Sequence, residues 1–154
     1  MAPVTVNGIE EFEALVGEKV GPSEWREVTQ DLVDSFAEVS GDDQWIHVDV
    51  ERAKQESPFG APVAHGDLTL SMIGGFRKDV LQTDGFKLGV NYGWNKVRFP
   101  APVVVGSKVR ASVEILSVED VGNGWHQTVQ RWTVEVEGGE KPVCVAESVA
   151  RFVA

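Results

Sequence analysis

The sequence predicts an α+β fold, in which amphipathic helices are followed by antiparallel strands of one sheet. The first observation is a change of hydrophobic period, from helical spacing before residue 80 to strict alternation after Asp84-Gly85. The second is that helices and strands do not alternate along the chain, as they would in a parallel sheet. The third is the length of 154 residues, which predicts one domain, residues 1–154, with a substantial core.

The first predicted helix covers residues 29–39. Thr29 is a suitable N-cap, apolar residues follow at helical spacing, and Gly41 stands just past the end. Residues 54–64 then predict a loop, because two prolines and a glycine there block regular structure.

The second predicted helix runs from His65 to about Val80. Its apolar residues recur every four positions, which indicates one buried face. Gly74 and Gly75 lie inside it, and each costs about 1 kcal/mol relative to alanine. We therefore expect this helix to pack closely against another element.

Four strands are predicted after this helix, paired as a meander in chain order. They share alternating apolar positions and cover residues 86–99, 109–115, 125–136 and 143–153. The apolar phase of the first strand shifts near Asn95, which predicts a bulge. Gly122-Asn123-Gly124 predicts the turn of a hairpin.

The charge distribution excludes several classes of protein. The formal net charge is -10, and the chain has no cluster of basic residues that could bind the phosphates of a nucleic acid. No apolar run approaches the roughly 20 residues of a membrane span, and the first residues lack the pattern of an export signal. The single cysteine, Cys144, cannot form an internal disulfide and is expected to be a buried, inert thiol. We therefore expect a cytoplasmic protein that does not bind membranes.

The residues with the clearest chemistry lie between the two helices. The segment 36–49 (FAEVSGDDQWIHVD) places Asp42 and His47 five residues apart in an irregular stretch, where function commonly resides. A carboxylate and an imidazole could share one water, one accepting its proton while the other orients it. Taken by itself, this spacing is more often a helix-capping pair, so both interpretations stay open. The chain has neither HxxxH nor HxH spacing nor a phosphate-binding glycine loop, so we expect no metal and no cofactor.

Three motifs in order resemble those of a known family. The segment 36–49 is similar to the hydratase 2 signature of MaoC-like (R)-specific enoyl-CoA hydratases: an aromatic residue, Ser-Gly-Asp, then an aliphatic residue and His. Residues 64–66 (AHG) and 99–106 (FPAPVVVG) follow in the order and spacing of that family, so the resemblance covers nearly the whole chain. Residues 44–47 (QWIH) and 92–99 (YGWNKVRF) resemble the nodulation protein N-like branch found in actinobacteria.

The resemblance implies a hot-dog fold, with a long central helix wrapped by a curved antiparallel sheet, paired into a homodimer. It also implies an enzyme that hydrates trans-2-enoyl-CoA to (R)-3-hydroxyacyl-CoA, reversibly. Asp42 and His47 fall on the catalytic pair that activates water, and Gly66 falls on the residue whose backbone N–H holds the thioester carbonyl oxygen. His65 is expected either to contact the same substrate or to fix the turn before Gly66, and Asn95 is a further candidate for substrate binding.

Three positions depart from the pattern of this family. Trp45 stands where proline is usual, Asp67 replaces a hydrophobic residue, and Gly74 aligns with a serine that supports the dyad in some members. Asn91, Asn95 or a water could take over the role of that serine. Two alternatives therefore stay open: a hot-dog acyl-CoA thioesterase, because one fold serves both chemistries, and a non-catalytic acyl-CoA-binding or partner subunit.

Overall fold

Eight strands and five helices form the part of the chain that the computed structural model describes, residues 2–154. The strands are β1 (Val4–Asn7), β2 (Lys19–Val20), β3 (Arg26–Glu27), β4 (Leu81–Asp84), β5 (Leu88–Arg98), β6 (Lys108–Gly122), β7 (Trp125–Val136) and β8 (Cys144–Val153). The helices are α1 (Gly8–Ala14), α2 (Gln30–Ser40), α3 (Trp45–Val48), α4 (Val50–Glu56) and α5 (Gly66–Val80). The two helices and four long strands expected from the sequence are therefore present as α2, α5 and β5 to β8.

The main sheet is antiparallel and has six strands, in the order β2-β6-β7-β8-β5 with β3 also pairing with β6. Strands β6, β7 and β8 form the expected meander. The predicted chain order is wrong for β5, which pairs with β8 at the far edge instead of with β6. The connection over residues 99–107 is long enough to cross from one edge of the sheet to the other, so neighbours in sequence are not neighbours in the sheet. Strands β1 and β4 form a separate parallel pair that the sequence did not predict.

Capping residues set the ends of the helices before the site. The hydroxyl of Thr29 accepts a hydrogen bond from the backbone N–H of Leu32 at 3.1 Å, so α2 begins where the sequence predicts. The carboxylate of Asp49 accepts from the N–H of Arg52 at 3.1 Å and begins α4 in the same way. Because α4 continues to Glu56, the prediction of a loop over residues 54–64 is wrong for its first three residues.

Helix α5 lies against the sheet, with contacts to β6 and β8, and supplies much of the core. Its buried residues share the face that the four-residue spacing predicted: Leu68, Thr69, Ile73, Phe76 and Val80. Phe76 and Trp132 of β7 are fully buried. Each large apolar side chain buried in this way stabilises the fold by about 1.5–3 kcal/mol.

The two glycines of α5 have different surroundings. A Cβ atom at Gly75 would lie 2.7 Å from Nη1 of Arg26, so close packing is confirmed there. At Gly74 the prediction is wrong, because a Cβ atom would meet no heavy atom within 4 Å. Gly74 is exposed on the outer side of the helix.

The β6–β7 hairpin and the bulge are confirmed. Asn123 and Gly124 both have positive φ, 57° and 81°, as a tight hairpin turn with right-handed twist requires. The pairing of β5 with β8 shifts register twice, between Asn91 and Gly93 and between Trp94 and Lys96. Among the described residues, no helix combines the length and apolar character needed to cross a bilayer.

Candidate active site

The end of α2 positions Asp42. The hydroxyl of Ser40 donates to the carbonyl oxygen of Phe36 at 2.7 Å and accepts from the N–H of Asp42 at 3.2 Å. Gly41 closes the helix with φ 79°, a left-handed conformation that favours glycine. The chain therefore turns sharply after α2, and Asp42 stands beyond the helix end with an exposed side chain.

The carboxylate of Asp42 is not committed to capping a helix. Its contact with the N–H of Gln44 is long, at 3.5 Å. Helix α3 begins after Gln44, whose side chain makes no capping bond either. The capping interpretation that the spacing left open therefore gains no support, and the carboxylate is free to contact a water or a substrate.

His47 lies on α3 and is buried. Its Nδ1 atom is 2.6 Å from the carbonyl oxygen of Val63, and Val63 is fixed in turn by donating its N–H to the carbonyl oxygen of Ile46 at 3.0 Å. Because a carbonyl only accepts, Nδ1 carries the proton, and Nε2 of the neutral ring keeps its lone pair. The fold thus holds His47 in the tautomer that a general base needs.

His65 links the two candidate catalytic residues. Its Nε2 donates to the backbone carbonyl oxygen of Asp42 at 2.8 Å. Its ring stacks on that of His47, with centroids 3.8 Å apart and planes at 24°, and its other neighbour is the ring of Phe36 at 4.9 Å. The Nδ1 atom of His65 is buried without a hydrogen-bond partner among the described residues. His65 therefore contacts Asp42 through a hydrogen bond and His47 through stacking.

Asp42, His47 and His65 converge in space. One polar atom from each, a carboxylate oxygen or a ring nitrogen, lies within 4.8 Å of the other two. One water could hydrogen-bond to two atoms at this separation, since each bond spans about 2.8 Å. The acid and the base that the sequence singled out are thus close enough to act on the same molecule.

This cluster suits proton transfer better than metal binding. A Zn²⁺ ion binds each imidazole at about 2.0–2.1 Å, along the lone pair in the plane of the ring. Nearly parallel stacked rings cannot direct both lone pairs at one point. One nitrogen of each ring is also already bonded to a carbonyl oxygen.

Gly66 lines a groove of about 410 Å³, together with His47. It is the first residue of α5, where a backbone N–H has no acceptor within the helix and the helix dipole favours negative charge. A Cβ atom at this position would lie 2.8 Å from the ring of Phe99, so any larger residue would require that ring to move. The lining of the groove is otherwise mostly apolar: Ile46, Phe59, Val63, Ala64, Phe99, Pro100, Ala101, Pro102, Val103 and Val143. The groove therefore offers a free N–H, an imidazole and an apolar surface together.

Of the residues named from the sequence for this site, only His47 and Gly66 line the groove; Asp42 and His65 do not line it, although both lie beside His47. Asn95 is exposed at the bulge of β5, and Asp67 is exposed in the first turn of α5. The ring of Trp45 packs under the guanidinium of Arg52, 4.2 Å away. Sequence reasoning missed Thr69, a buried polar residue that lines the groove one turn after Gly66. Its spacing from Gly66 was the available signal, because residues three apart share a helix face.

Cys144 takes no part in this site. Its side chain is fully buried in β8, and burial raises the pKa of the thiol to about 11. The thiol therefore stays protonated at neutral pH, where only the thiolate would be nucleophilic. The expectation of a buried, inert thiol is confirmed.

Comparison with known proteins agrees with this geometry. A model of the MaoC like domain matches residues 11–137. The chain belongs to the MaoC-like family. It is 51% identical to the 3-hydroxyacyl-thioester dehydratase Z of Mycobacterium tuberculosis, over 97% of this chain and 99% of that protein. It is 40% identical to nodulation protein N of Rhizobium leguminosarum bv. viciae, over 85% and 82% of the two chains.

A solved structure extends the likeness to three dimensions. The (R)-hydratase from A. caviae involved in PHA biosynthesis is 25% identical and superposes with a TM-score of 0.67, over 88% of this chain and 94% of that one. The hot-dog fold expected from the sequence is confirmed, with α5 as its central helix. The MaoC-like protein is thus an enzyme of the hydratase and dehydratase kind, a hydro-lyase.

Proposed function

We propose that this MaoC-like protein catalyses the reversible (R)-specific hydration of trans-2-enoyl-CoA to (R)-3-hydroxyacyl-CoA. The observation that carries the proposal is that a ring nitrogen of His47 lies within 4.8 Å of the Asp42 carboxylate, while His47 lines the same groove as Gly66. The name of the 3-hydroxyacyl-thioester dehydratase Z from Mycobacterium tuberculosis supports a 3-hydroxyacyl thioester as product or substrate, and the name of the (R)-hydratase from A. caviae supports (R)-specific hydration.

In hydration, water attacks Cβ of the enoyl thioester while the dyad takes one of its protons. His47 accepts this proton at Nε2, and Asp42 orients the water. The electron pair of the double bond moves toward the thioester carbonyl oxygen, whose developing negative charge the N–H of Gly66 stabilises. The dyad then delivers a proton to Cα, so that H and OH have been added across the double bond. Dehydration follows the same steps in reverse.

The departures from the family pattern do not weaken this proposal. Asp67 is exposed and is not among the residues that line the groove. The serine absent at Gly74 would have pointed into open space. These two residues were the sequence-based support for a non-catalytic subunit. The role of Asn95 in substrate binding remains a prediction.

The test follows the loss of enoyl-thioester absorbance with crotonyl-CoA and a longer trans-2-enoyl-CoA, with chiral analysis of the product. Asp42→Asn should lower kcat by about 10²- to 10⁴-fold while the unfolding temperature stays unchanged, because the side chain is exposed. Asp43→Asn, at the neighbouring exposed aspartate, is the matched control and should keep full activity. Full activity of Asp42→Asn, or release of thiol from acyl-CoA without hydration, would contradict the proposal; the second result identifies a thioesterase.

We also propose a homodimer formed through β5. This strand is an edge of the sheet, and three large side chains along it are exposed: Leu88 by 50%, Val90 by 38% and Tyr92 by 60%. An unpaired, apolar edge is a template for pairing with another chain. Light scattering at micromolar concentration should show two chains per particle, and a monomer would contradict the proposal. A single domain over residues 1–154 and a cytoplasmic location remain predictions.

A further inference from the structure

A second cavity, of about 470 Å³, lies at the opposite end of α5 from the groove. It is bounded by the end of that helix, by β4, and by the facing parts of β5, β7 and β8. It shares no lining residue with the groove at Gly66. The chemistry proposed for Asp42 and His47 therefore does not account for it.

The cavity contains a partly buried guanidinium, that of Arg77. One N–H of Arg77 donates to the hydroxyl of Ser148 at 2.6 Å, and its Cζ lies 5.7 Å from the ring centroid of Trp132. Ser148 and Trp132 are both fully buried. Burial also lowers the pKa of Arg77, although a guanidinium stays charged at neutral pH. A hydroxyl and an aromatic ring therefore hold this partly buried cation at the wall of the cavity.

No ion pair found within residues 2–154 includes Arg77. The nearest acid along the helix, Asp79, is already paired with Arg26 at 2.9 Å. Buried charges are normally paired, because removing an ion from water is costly. A guanidinium has five N–H donors, and the bond to Ser148 uses one of them. Arg77 thus has both charge and hydrogen-bonding capacity to offer an anion.

The floor of the cavity is polar as well. Gln130 is buried, donates to the hydroxyl of Thr128 at 3.0 Å and accepts from Nε1 of Trp132 at 3.2 Å. The charged residues that line the cavity are Arg77, Lys78 and Asp84, so its formal charge is positive in a chain of net charge -10. An aliphatic chain bound here would leave the guanidinium without a counter-ion. An oxyanion would neutralise it, and arginine binds carboxylate and phosphate groups through two parallel hydrogen bonds.

We propose that this cavity binds an oxyanion of the thioester substrate, with Arg77 as its ligand. The inference rests on the proposed function, because it takes the thioester to be bound at Gly66. Arg77 follows Gly66 by about three helical turns, so the two residues share one side of α5, roughly 16 Å apart along its axis. Two parts of a substrate could supply the oxyanion: a carboxylate at the far end of the acyl chain, or a phosphate of the carrier.

The first experiment measures binding without turnover. Isothermal titration with adipate, inorganic phosphate and neutral adipamide is performed on the wild type, Arg77→Met and Arg77→Lys. We expect adipate or phosphate to bind the wild type and adipamide not to bind. The substitution Arg77→Met should lower the affinity for the anion by about 10- to 100-fold. Arg77→Lys keeps the charge without the paired donors, so it should give an intermediate affinity and remains informative if Arg77→Met does not fold.

Arg131→Met is the matched control. Arg131 is exposed on β7 and interacts with Glu114, outside the cavity, so this variant removes the same charge from another place. It should bind the anion as the wild type does. The proposal is overturned if the wild type binds no anion. It is also overturned if Arg77→Met and Arg131→Met lower the affinity for the anion equally. A change confined to the unfolding temperature or the oligomeric state of Arg77→Met would overturn it too and would identify Arg77 as a structural residue.

The second experiment identifies the source of the oxyanion by kinetics. Crotonyl and ω-carboxylated trans-2-enoyl groups are compared as CoA thioesters and as N-acetylcysteamine thioesters, which lack phosphate. A loss of kcat/KM in Arg77→Met confined to the carboxylated substrates supports a carboxylate, and a loss confined to CoA thioesters supports a phosphate. Turnover of crotonyl-CoA without Arg77-dependent anion binding would refute the cavity proposal alone. Arg77-dependent binding without turnover of any thioester would refute the proposed function alone.

Discussion

The two ends of α5 hold their polar groups in different ways. At the first end, ring nitrogens of His47 and His65 donate to backbone carbonyl oxygens. At the other end, Arg77 donates to the Ser148 hydroxyl and has no carboxylate partner within residues 2–154. A backbone carbonyl can accept from a ring N–H, as it does for Nδ1 of His47 and Nε2 of His65, whereas a hydroxyl does not compensate the charge of a guanidinium. The comparison is consistent with the proton transfer that we propose for the first end and with the anion that we propose for the second.

The largest effect is expected from His47→Asn. The asparagine amide can occupy the place of Nδ1 and keep the hydrogen bond to the Val63 carbonyl oxygen, but it removes the base at Nε2. Turnover of crotonyl-CoA should therefore fall by about 10²- to 10⁴-fold. Adipate or phosphate binding at Arg77 should stay unchanged, because the two cavities share no lining residue.

His126→Asn is the control for this substitution. His126 lies on β7 and lines neither cavity, so both turnover and anion binding should match the wild type. If His47→Asn retains turnover, the first end of α5 is not the catalytic end. If it also loses anion binding, the two ends are coupled and the comparison fails.

A smaller effect is expected from two replacements of His65. His65→Gln can place its amide near Nε2 and keep the bond to the Asp42 carbonyl oxygen, whereas His65→Phe keeps the stacked ring and loses the bond. We infer that this bond helps the end of α2 to position Asp42, so kcat should fall about tenfold in His65→Phe and much less in His65→Gln.

The separation of kcat from KM tests this assignment. A residue that positions Asp42 should change kcat while KM stays nearly constant, since Asp42 acts on the water and not on the bound acyl chain. If kcat falls equally in the two variants, stacking on His47 matters as much as the hydrogen bond. A larger loss in His65→Gln than in His65→Phe would contradict the assignment.

The smallest effect is expected from Gly74→Ser, between the two ends of the helix. A Cβ atom there meets no heavy atom within 4 Å, so the serine fits without displacing a neighbour. Serine has a higher helix propensity than glycine, by about 0.5 kcal/mol, and the unfolding temperature should rise by about 1–2 °C. Calorimetry and the two activity measurements check this. A change of more than about twofold in kcat would show that this position acts on the dyad.

The sequence predicted those features that depend on neighbours along the chain. The capping residue Thr29 and the terminating Gly41 set the bounds of α2, and the change of period marked the strands after residue 84. The order of Asp42, His47 and Gly66 along the chain identified the candidate site once its motifs were compared with a family. Each of these signals acts over a few residues, within the range of a helical turn, a hairpin or a loop.

Other features were decided only when distant segments came together. Strand β5 pairs with β8 and not with β6, although β6 follows it in sequence. The stacking of His65 on His47 depends on a loop between two helices, and Arg77 meets Ser148 across 71 positions of the chain. Sequence patterns report which face of an element is apolar, but they do not report which remote side chain will face a buried charge. The tertiary structure alone therefore revealed Arg77, because its missing carboxylate partner is a property of the packed interior.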